Sequence, residues 1–197
     1  MTYRIQRPDQ VWAWAISWDA VHAAQVLTLM QAGYMKTGAP DALGYMMNLG
    51  FQNGVPVYMV QGMFCGSRED GLAAIAPLMA IPSAQLLVDK TGTYPDMNVW
   101  LEDHPYTLPD NLPDGIAETK ASGYINTRLS PADWQRIIDY FKTSPNPWSL
   151  AYLEPYGGAI NRYPVGDSAF VHRNVDADLV VDVFWRNPAE RTQMEAW

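Results

Sequence analysis

The sequence has little cysteine, few basic residues and no long apolar run. Cys65 is the single cysteine of the 197 residues, which excludes an internal disulfide and cysteine-based zinc or iron–sulfur sites. Lysine and arginine total 13 against 21 aspartate and glutamate, a net charge of −8, and nucleic acid is not expected as a partner because phosphate binding needs clustered cations. No apolar run approaches the ~18 residues of a membrane span, and the first residues do not follow a signal-peptide pattern, so no membrane partner is expected. The compartment stays open, with the cytoplasm favoured.

Common metal and nucleophile arrangements are also missing. His22, His104 and His172 lie far apart in the sequence, and none has a second ligand three or four residues away, so no metal site is expected. The nucleophile-elbow pattern G-x-S-x-G does not occur. Cys65 follows an apolar run with no adjacent cation to lower its pKa, which favours a buried structural thiol over a nucleophile.

Hydrophobic periodicity predicts the secondary structure. Alternating aromatics in VWAWAISW predict a strand over residues 11–18, and an Asn-Gly turn predicts a hairpin of strands 42–51 and 55–66. Further strands are predicted over 86–90, 123–128, 148–154 and 178–185, with helices after Asp19, Ser67 and Ser130, near Met97 and from Asn187. The residues between Thr91 and Lys120 are interpreted as a long loop, the excursion, around the short helix near Met97. Together the elements predict an α+β fold in which a mainly antiparallel sheet is covered by helices on one face.

Two of these strands carry candidate functional residues. Asp182 interrupts an apolar strand, and alternation puts it on one face with Val180 and Phe184. A buried carboxylate without a partner has a raised pKa and suits a general base, whereas a solvated or ion-paired carboxylate is the equally weighted alternative. Tyr152 and Glu154 share a strand face, and Tyr156 follows. These three could orient a hydroxylated substrate, although cross-strand packing or a surface position is the commoner role of such residues.

The stretch LEPYGGAINRYPVGDSAFVHRN contains Gly157 and Gly158, which lack the longer phosphate-binding glycine patterns and predict a tight turn. This stretch resembles a signature of the berberine-bridge-enzyme-like FAD-linked oxidases, in which a Gly-Gly turn precedes a Phe-x-His-Arg element. DLVVDVFW, VYMVQGMFCGSREDGLAAIAPL and TKASGYINTRLSPADW resemble further segments of that family, in matching order over about residues 55–195.

The resemblance implies a two-domain oxidase of which this chain is the substrate-binding domain. Residues 1–197 would form that single domain, as a fragment of, or partner to, the larger protein. The family's flavin-binding domain and C-terminal segment are missing, so FAD would be bound mainly by a domain outside this chain, in cis or in trans. Cys65 matches the substrate domain's Cys-Gly turn and not the flavin-linking cysteine.

The implied reaction is the two-electron oxidation of a small organic alcohol or amine, with flavin accepting the hydride and oxygen reoxidising it. The family's base position falls on Val180, two residues from Asp182 on the same face, and Asp182 is the candidate base. Tyr152, Glu154, Tyr156 and Phe184 are the candidate substrate-binding residues. Gly157, Gly158, His172 and Arg173 are expected to be structural, with the His-Arg pair fixing the connection through hydrogen bonds to carbonyls and carboxylates. The isolated chain is expected to be inactive, and the alternative is a stand-alone binding or scaffold protein derived from that domain.

Overall fold

A computed structural model describes residue 8 and residues 10–36, 38–103 and 114–197. His104, considered above as a ligand, lies outside these residues. The described strands are β1 (Val11–Trp18), β2 (Leu43–Gln52), β3 (Val55–Cys65), β4 (Gln85–Gly92), β5 (Ala117–Ile125), β6 (Leu150–Pro155) and β7 (Ala177–Trp185). They form one seven-stranded sheet in the order β4-β1-β3-β2-β6-β7-β5, and each neighbouring pair is antiparallel. The predicted α+β class is confirmed.

The helices are α1 (Ala23–Gly33), α2 (Arg68–Met79), α3 (Tyr94–Asp103), α4 (Pro131–Phe141), α5 (Ala159–Arg162) and α6 (Arg191–Ala196). Helices α2 and α4 begin at capping serines: the hydroxyls of Ser67 and Ser130 accept hydrogen bonds from the backbone N–H groups of Asp70 and Asp133. No helix within the described ranges has the length and apolar character that crossing a bilayer requires.

The main core lies between one face of the sheet and helices α1, α2 and α4. Alternation in β1 puts Trp12, Trp14 and Trp18 on this face, where they join one cluster with apolar residues of the three helices. Helix α4 contributes Trp134 and Ile138, both fully buried. The spacing of apolar residues that predicted α4 is therefore the spacing with which it packs.

Helix α3 lies on the other face of the sheet, in addition to the helices that cover the face of the main core. Met97 of α3 packs against Val11, Ala13 and Ala15, all fully buried in β1. Because β1 is apolar on both faces, each of its faces must be covered. The predicted excursion from Thr91 to Lys120 is also too long, since β4 runs to Gly92 and β5 begins at Ala117.

Cys65 is exposed, so the prediction of a buried thiol was wrong. It is the last residue of β3 and lies opposite Val11, on the face away from α2. Tyr58, Val60 and Phe64 of the same strand face the core, but after Cys65 the chain turns at Gly66 into the loop before α2.

Candidate functional site

The polar face is the face of the sheet that turns away from α1, α2 and α4, over strands β2, β3, β5, β6 and β7. Directly opposed residues of an antiparallel pair share a face, and the register links Asn48 to Tyr152, Tyr152 to Val180, and Asp182 to Lys120. The polar residues that the register assigns to this face are Asn48, Gln61, Glu118, Lys120, Ser122, Tyr124, Tyr152, Glu154, Asp178 and Asp182. Polar side chains thus run across neighbouring strands.

Asp182 is the most buried carboxylate of the polar face, at 4% exposure. The Lys120 ammonium donates a hydrogen bond of 3.0 Å to Asp182 Oδ2, and it also lies 2.9 Å from Glu118 Oε1. The other carboxylate oxygen, Oδ1, is buried and has no hydrogen-bond partner. Asp182 is therefore ion-paired through one oxygen only.

The surroundings shift the pKa values of this group and its partner. Burial raises the pKa of Asp182, and the hydrogen bond and positive charge of Lys120 oppose that rise without cancelling it. Hydrogen bonds to Glu118 and Asp182 raise the pKa of Lys120, which keeps the ammonium charged. The arrangement holds a carboxylate that can accept one more hydrogen bond and, with its raised pKa, a proton.

Tyr152 and Asn48 lie directly opposite each other on β6 and β2. Burial, and after it the negative charge of Asp182, raises the pKa of the Tyr152 phenol, so the phenol stays protonated at neutral pH and can donate a hydrogen bond. Asn48 is 6% exposed, and its Nδ2 has no hydrogen-bond partner. The Oε1 of Gln61 on β3 is also buried without a hydrogen-bond partner. One unmet donor therefore lies directly opposite Tyr152, and one unmet acceptor lies on β3, the next strand beyond β2.

Glu154 and Asp178 are also directly opposed, on β6 and β7, and both side chains lie on the polar face. Like charges in this position repel each other. Among the described residues, no Lys or Arg forms a salt bridge with either carboxylate. Asp178 Oδ1 is buried without a hydrogen-bond partner. Two uncompensated carboxylates thus stand at one end of the polar face.

Next to these carboxylates lies the aromatic cluster, which consists of Tyr124, Tyr156, Phe170 and His172. The Tyr124 ring centroid is 4.4 Å from that of His172 and 5.6 Å from that of Tyr156. Phe170 lies 5.9 Å from Tyr156 and 5.5 Å from His172. Burial and, second, a hydrogen bond with Tyr124 raise the pKa of Tyr156 to about 12. Tyr124 is directly opposite Asp178, so the aromatic cluster adjoins the opposed carboxylates.

The Gly-Gly pair lies where the chain leaves β6. A side chain at Gly157 would have its Cβ 2.5 Å from the Met35 carbonyl oxygen, and Gly158 has a φ of +62°. The first position therefore needs glycine for close backbone approach and the second for its dihedral angle. This geometry is that of a turn held against the end of α1.

Arg173 makes contacts within the connection between β6 and β7. Its guanidinium donates to the Ile160 carbonyl at 3.0 Å and to the Ser168 hydroxyl at 2.7 Å. The expected hydrogen bonds to carbonyls are present, but the second acceptor is a hydroxyl where carboxylates were also expected. His172 packs its ring on Tyr124 and Phe170. The pair lies beside the candidate site and not at Asp182.

The structure places four of the five residues expected at the site on the polar face, and the fifth in the adjoining aromatic cluster. Asp182, Tyr152 and Glu154 lie on the polar face of neighbouring strands. Phe184 is on the same face, opposite Glu118, and is 5% exposed. Tyr156 follows the end of β6 and lies in the aromatic cluster.

Sequence reasoning missed Lys120, Asn48 and Asp178. Lys120 was assigned to the excursion, although it begins the Lys-x-Ser-Gly segment that carried part of the resemblance. Asn48 interrupts the apolar run YMMNLGF as Asp182 interrupts its own strand, and the same reasoning applied to both would have found it. Asp178 gave no local signal, because only the register places it opposite Glu154.

The polar face fits the flat ring of a flavin better than it fits the phosphates of FAD. Unmet hydrogen-bonding atoms of Asn48 and Gln61 suit the polar edge of a planar heterocycle. The charged side chains of β5, β6 and β7 are four carboxylates and one ammonium, which does not suit a pyrophosphate. No group of three or more side chains suited to hold a metal ion occurs in the described part of the chain.

The sequence matches no established protein-family profile and no curated protein, but the fold matches solved structures. One is BBE-like #28 from Arabidopsis thaliana, with a TM-score of 0.80, 15% identity and coverage of 98% of this chain and 42% of that one. Another is a variant of Physcomitrella patens BBE-like 1, with a TM-score of 0.78, 19% identity and coverage of 95% and 41%. A third is glucooligosaccharide oxidase from Acremonium strictum, studied for its cysteinyl- and histidyl-linked FAD, with a TM-score of 0.72, 17% identity and coverage of 94% and 40%. The chain thus shares the fold of about two fifths of each of these BBE-like and FAD-linked oxidases.

Proposed function

We propose that this chain is the substrate-binding part of an FAD-dependent oxidoreductase, and that its polar face covers both the flavin ring and the substrate. The observation that carries this proposal is the Asp182 carboxylate. It is buried, Lys120 holds one of its oxygens, and the other oxygen has no partner. A buried polar atom without a partner costs free energy, and the hydroxyl or amine N–H of a bound substrate would satisfy it.

In this proposal Asp182 is the general base. Its unpartnered oxygen accepts the hydrogen of the substrate O–H or N–H and takes the proton when the substrate is oxidised. Lys120 fixes the carboxylate orientation by its hydrogen bond to the other oxygen. The raised pKa of Asp182 brings the group closer to the range in which it takes up a proton at neutral pH.

The neighbouring residues position the substrate. Tyr152 donates a hydrogen bond from its protonated phenol to a substrate oxygen, and Glu154, two residues further on the same face, accepts one. Phe184 supplies an apolar surface beside Asp182. Tyr156 lies in the aromatic cluster at the end of the site where Glu154 and Asp178 oppose each other, and contacts the substrate there. The result is a polar centre with apolar flanks, which is the usual composition of a small-molecule site.

FAD, when bound, supplies the acceptor for the electron pair removed from the substrate, and oxygen is the proposed final acceptor. Asn48 and Gln61 would face the ring of the flavin. A flavin-binding domain, in cis or in trans, would hold the rest of the cofactor, and the chain by itself would not oxidise a substrate.

Two measurements test the proposal. Mixing the chain with FAD and removing free ligand by gel filtration should leave no bound flavin absorption band, whereas a stable yellow complex would show that the chain binds FAD without a second domain.

In a protein that also contains the flavin-binding domain, Asp182→Asn should slow flavin reduction by about 10²- to 10⁴-fold, as expected for loss of a general base. Asp139→Asn, on α4 at the other face, is the matched control. An Asp182→Asn rate equal to that of wild type would remove Asp182 as the base.

Val180 favours a second candidate function, that of a non-catalytic binding or scaffold protein. This side chain is 7% exposed and apolar, and it occupies the position at which the resemblance expects an acidic residue. Sequencing the gene on both sides of the segment for this chain separates the two candidates. An adjacent flavin-domain coding region favours the oxidoreductase, and stop codons on both sides with no such neighbour favour the binding protein.

A further inference from the structure

We propose that the ligand of the polar face carries a positively charged ammonium group, which binds between Glu154, Asp178 and the rings of Tyr124 and Tyr156. This inference rests on the proposed function, because it names the substrate class of that site. It can be tested separately, since it concerns binding to this chain alone and not oxidation.

The charge of the polar face favours a cation. Strands β5, β6 and β7 carry Glu118, Glu154, Asp178 and Asp182 against the single Lys120, and all five side chains lie on the same face. Four negative charges and one positive charge give a formal charge of −3. Lys120 already contacts Glu118 and Asp182. The negative charge that remains without a partner is therefore that of Glu154 and Asp178.

An unpartnered oxygen atom points to the same ligand. Asp178 Oδ1 is buried and accepts no hydrogen bond. An ammonium group carries a positive charge and up to three N–H donors, so it can donate hydrogen bonds to several carboxylate oxygens at once. A neutral alcohol has one O–H donor and can satisfy only one of them. An anionic ligand would add repulsion. The negative charge of Asp178 and Glu154 also extends to the Tyr156 phenol, whose pKa both groups help to raise.

The aromatic cluster supplies the second element of a cation site. Tyr124 lies directly opposite Asp178 and is 40% exposed, so its ring is accessible beside the carboxylates. Cations bind over the faces of aromatic rings, and Tyr rings are suitable partners. The Arg173 guanidinium already lies 4.8 Å from the Phe170 centroid. Among the described residues, no Lys or Arg lies over the ring of Tyr124 or Tyr156.

Three probes of similar size and different charge test the proposal: benzylammonium, benzyl alcohol and benzoate. Each is titrated into the isotope-labelled chain at neutral pH, and binding is followed by chemical-shift changes of backbone amides. Benzylammonium should bind at least about fivefold more tightly than benzyl alcohol, and benzoate should bind weakest. The shifts should centre on residues 124, 154 and 178, and added salt should weaken the binding.

Matched variants locate the interaction. Glu154→Gln and Asp178→Asn should each weaken benzylammonium binding about five- to tenfold. They should weaken benzyl alcohol binding less, because the amide oxygen of either new side chain can still accept a hydrogen bond from the hydroxyl. Glu69→Gln removes the same charge from the exposed surface of α2 and should have no such effect. If Asp178→Asn does not fold, Glu154→Gln alone decides.

Equal binding of benzylammonium and benzyl alcohol would overturn the inference, as would shifts centred away from the aromatic cluster or Glu154→Gln binding like Glu69→Gln. Different results would overturn the proposed oxidation. If benzylammonium binds preferentially and Asp182→Asn reduces flavin at the wild-type rate, the cation site is supported and Asp182 is not the general base. If Asp182→Asn reduces flavin slowly and the chain does not prefer benzylammonium, the general base is supported and the cation site is not.

Discussion

Lys120 and Asp182 lie directly opposite each other on β5 and β7, with 3.0 Å between the ammonium nitrogen and carboxylate Oδ2. The pair is asymmetric, because the Lys120 side chain is 54% exposed and that of Asp182 only 6%. Loss of the lysine leaves a buried charge, whereas loss of the aspartate leaves an ammonium that water and Glu118 can still solvate. The two single substitutions should therefore have different consequences for stability.

Lys120→Met should lower the free energy of unfolding at neutral pH by about 1–2 kcal/mol, less than for a fully buried pair because the ammonium is partly solvated. Since burial raises the folded-state pKa of Asp182, a protonated Asp182 favours the folded state, and this stability is lost as pH rises through the folded pKa. The loss caused by Lys120→Met should thus be small near the unfolded pKa of Asp, about 3.9, and largest at neutral pH. Urea unfolding at several pH values measures this dependence, and a loss that is independent of pH would contradict the assigned cause.

Asp182→Asn should leave the stability of the isolated chain unchanged or raise it by up to about 1 kcal/mol at neutral pH. The amide oxygen can still accept the hydrogen bond from Lys120, and no charge is then buried. Thermal unfolding at neutral pH is the measurement. A strongly destabilised Asp182→Asn would indicate that the ion pair holds the sheet together, and would weaken the case for a functional carboxylate.

Glu154→Gln should stabilise the chain by about 0.2–1 kcal/mol, because it removes the repulsion between the opposed Glu154 and Asp178. The gain should shrink as salt is added. Glu69→Gln, at an exposed position of α2, serves as the control and should change stability by less than about 0.5 kcal/mol. If Glu154→Gln behaves like the control in low salt, the two carboxylates do not repel each other in solution.

Gly157→Ala should destabilise the chain by about 1–3 kcal/mol, because the added Cβ would lie 2.5 Å from the Met35 carbonyl oxygen. A clash with backbone cannot be relieved by a side-chain rotation. Gly123→Ala on β5 is the matched control, since no atom lies within 4 Å of its added Cβ. The difference between the two melting temperatures is the readout, and similar melting temperatures would mean that the turn can move away from α1.

The sequence was most informative where a local pattern coincides with burial. Alternating tryptophans predicted β1 with its observed bounds, because both faces of that strand are buried and the even positions face α1, α2 and α4. The Ser130 capping signal and the spacing of Trp134 and Ile138 likewise predicted α4. In both cases the residues that form the element also fill the core.

Prediction was poorest where tertiary context decides. Strand β5 is largely exposed at the edge of the sheet and has little apolar alternation, so its residues up to Lys120 were assigned to the excursion and the predicted strand began only at Gly123. The amphipathic pattern of α3 indicates that one side is buried, but it does not say against which face of the sheet. The pairs that define the candidate site, Asp182 with Lys120 and Glu154 with Asp178, join residues on different strands and depend on the register. Asp182 itself was recognisable only as a charge in an apolar strand.

Strands β4 and β5 form the two edges of the sheet. The outer side of each strand presents backbone groups that could pair with a strand of another molecule, and charged residues on edge strands oppose such association. Strand β5 carries Glu118 and Lys120, and β4 carries Asp89 and Lys90. Lys120 therefore has a role that does not depend on any ligand, which is to help keep the sheet from extending into a neighbouring molecule. Lys120→Met would expose a more apolar edge and should increase the tendency of the chain to aggregate through it.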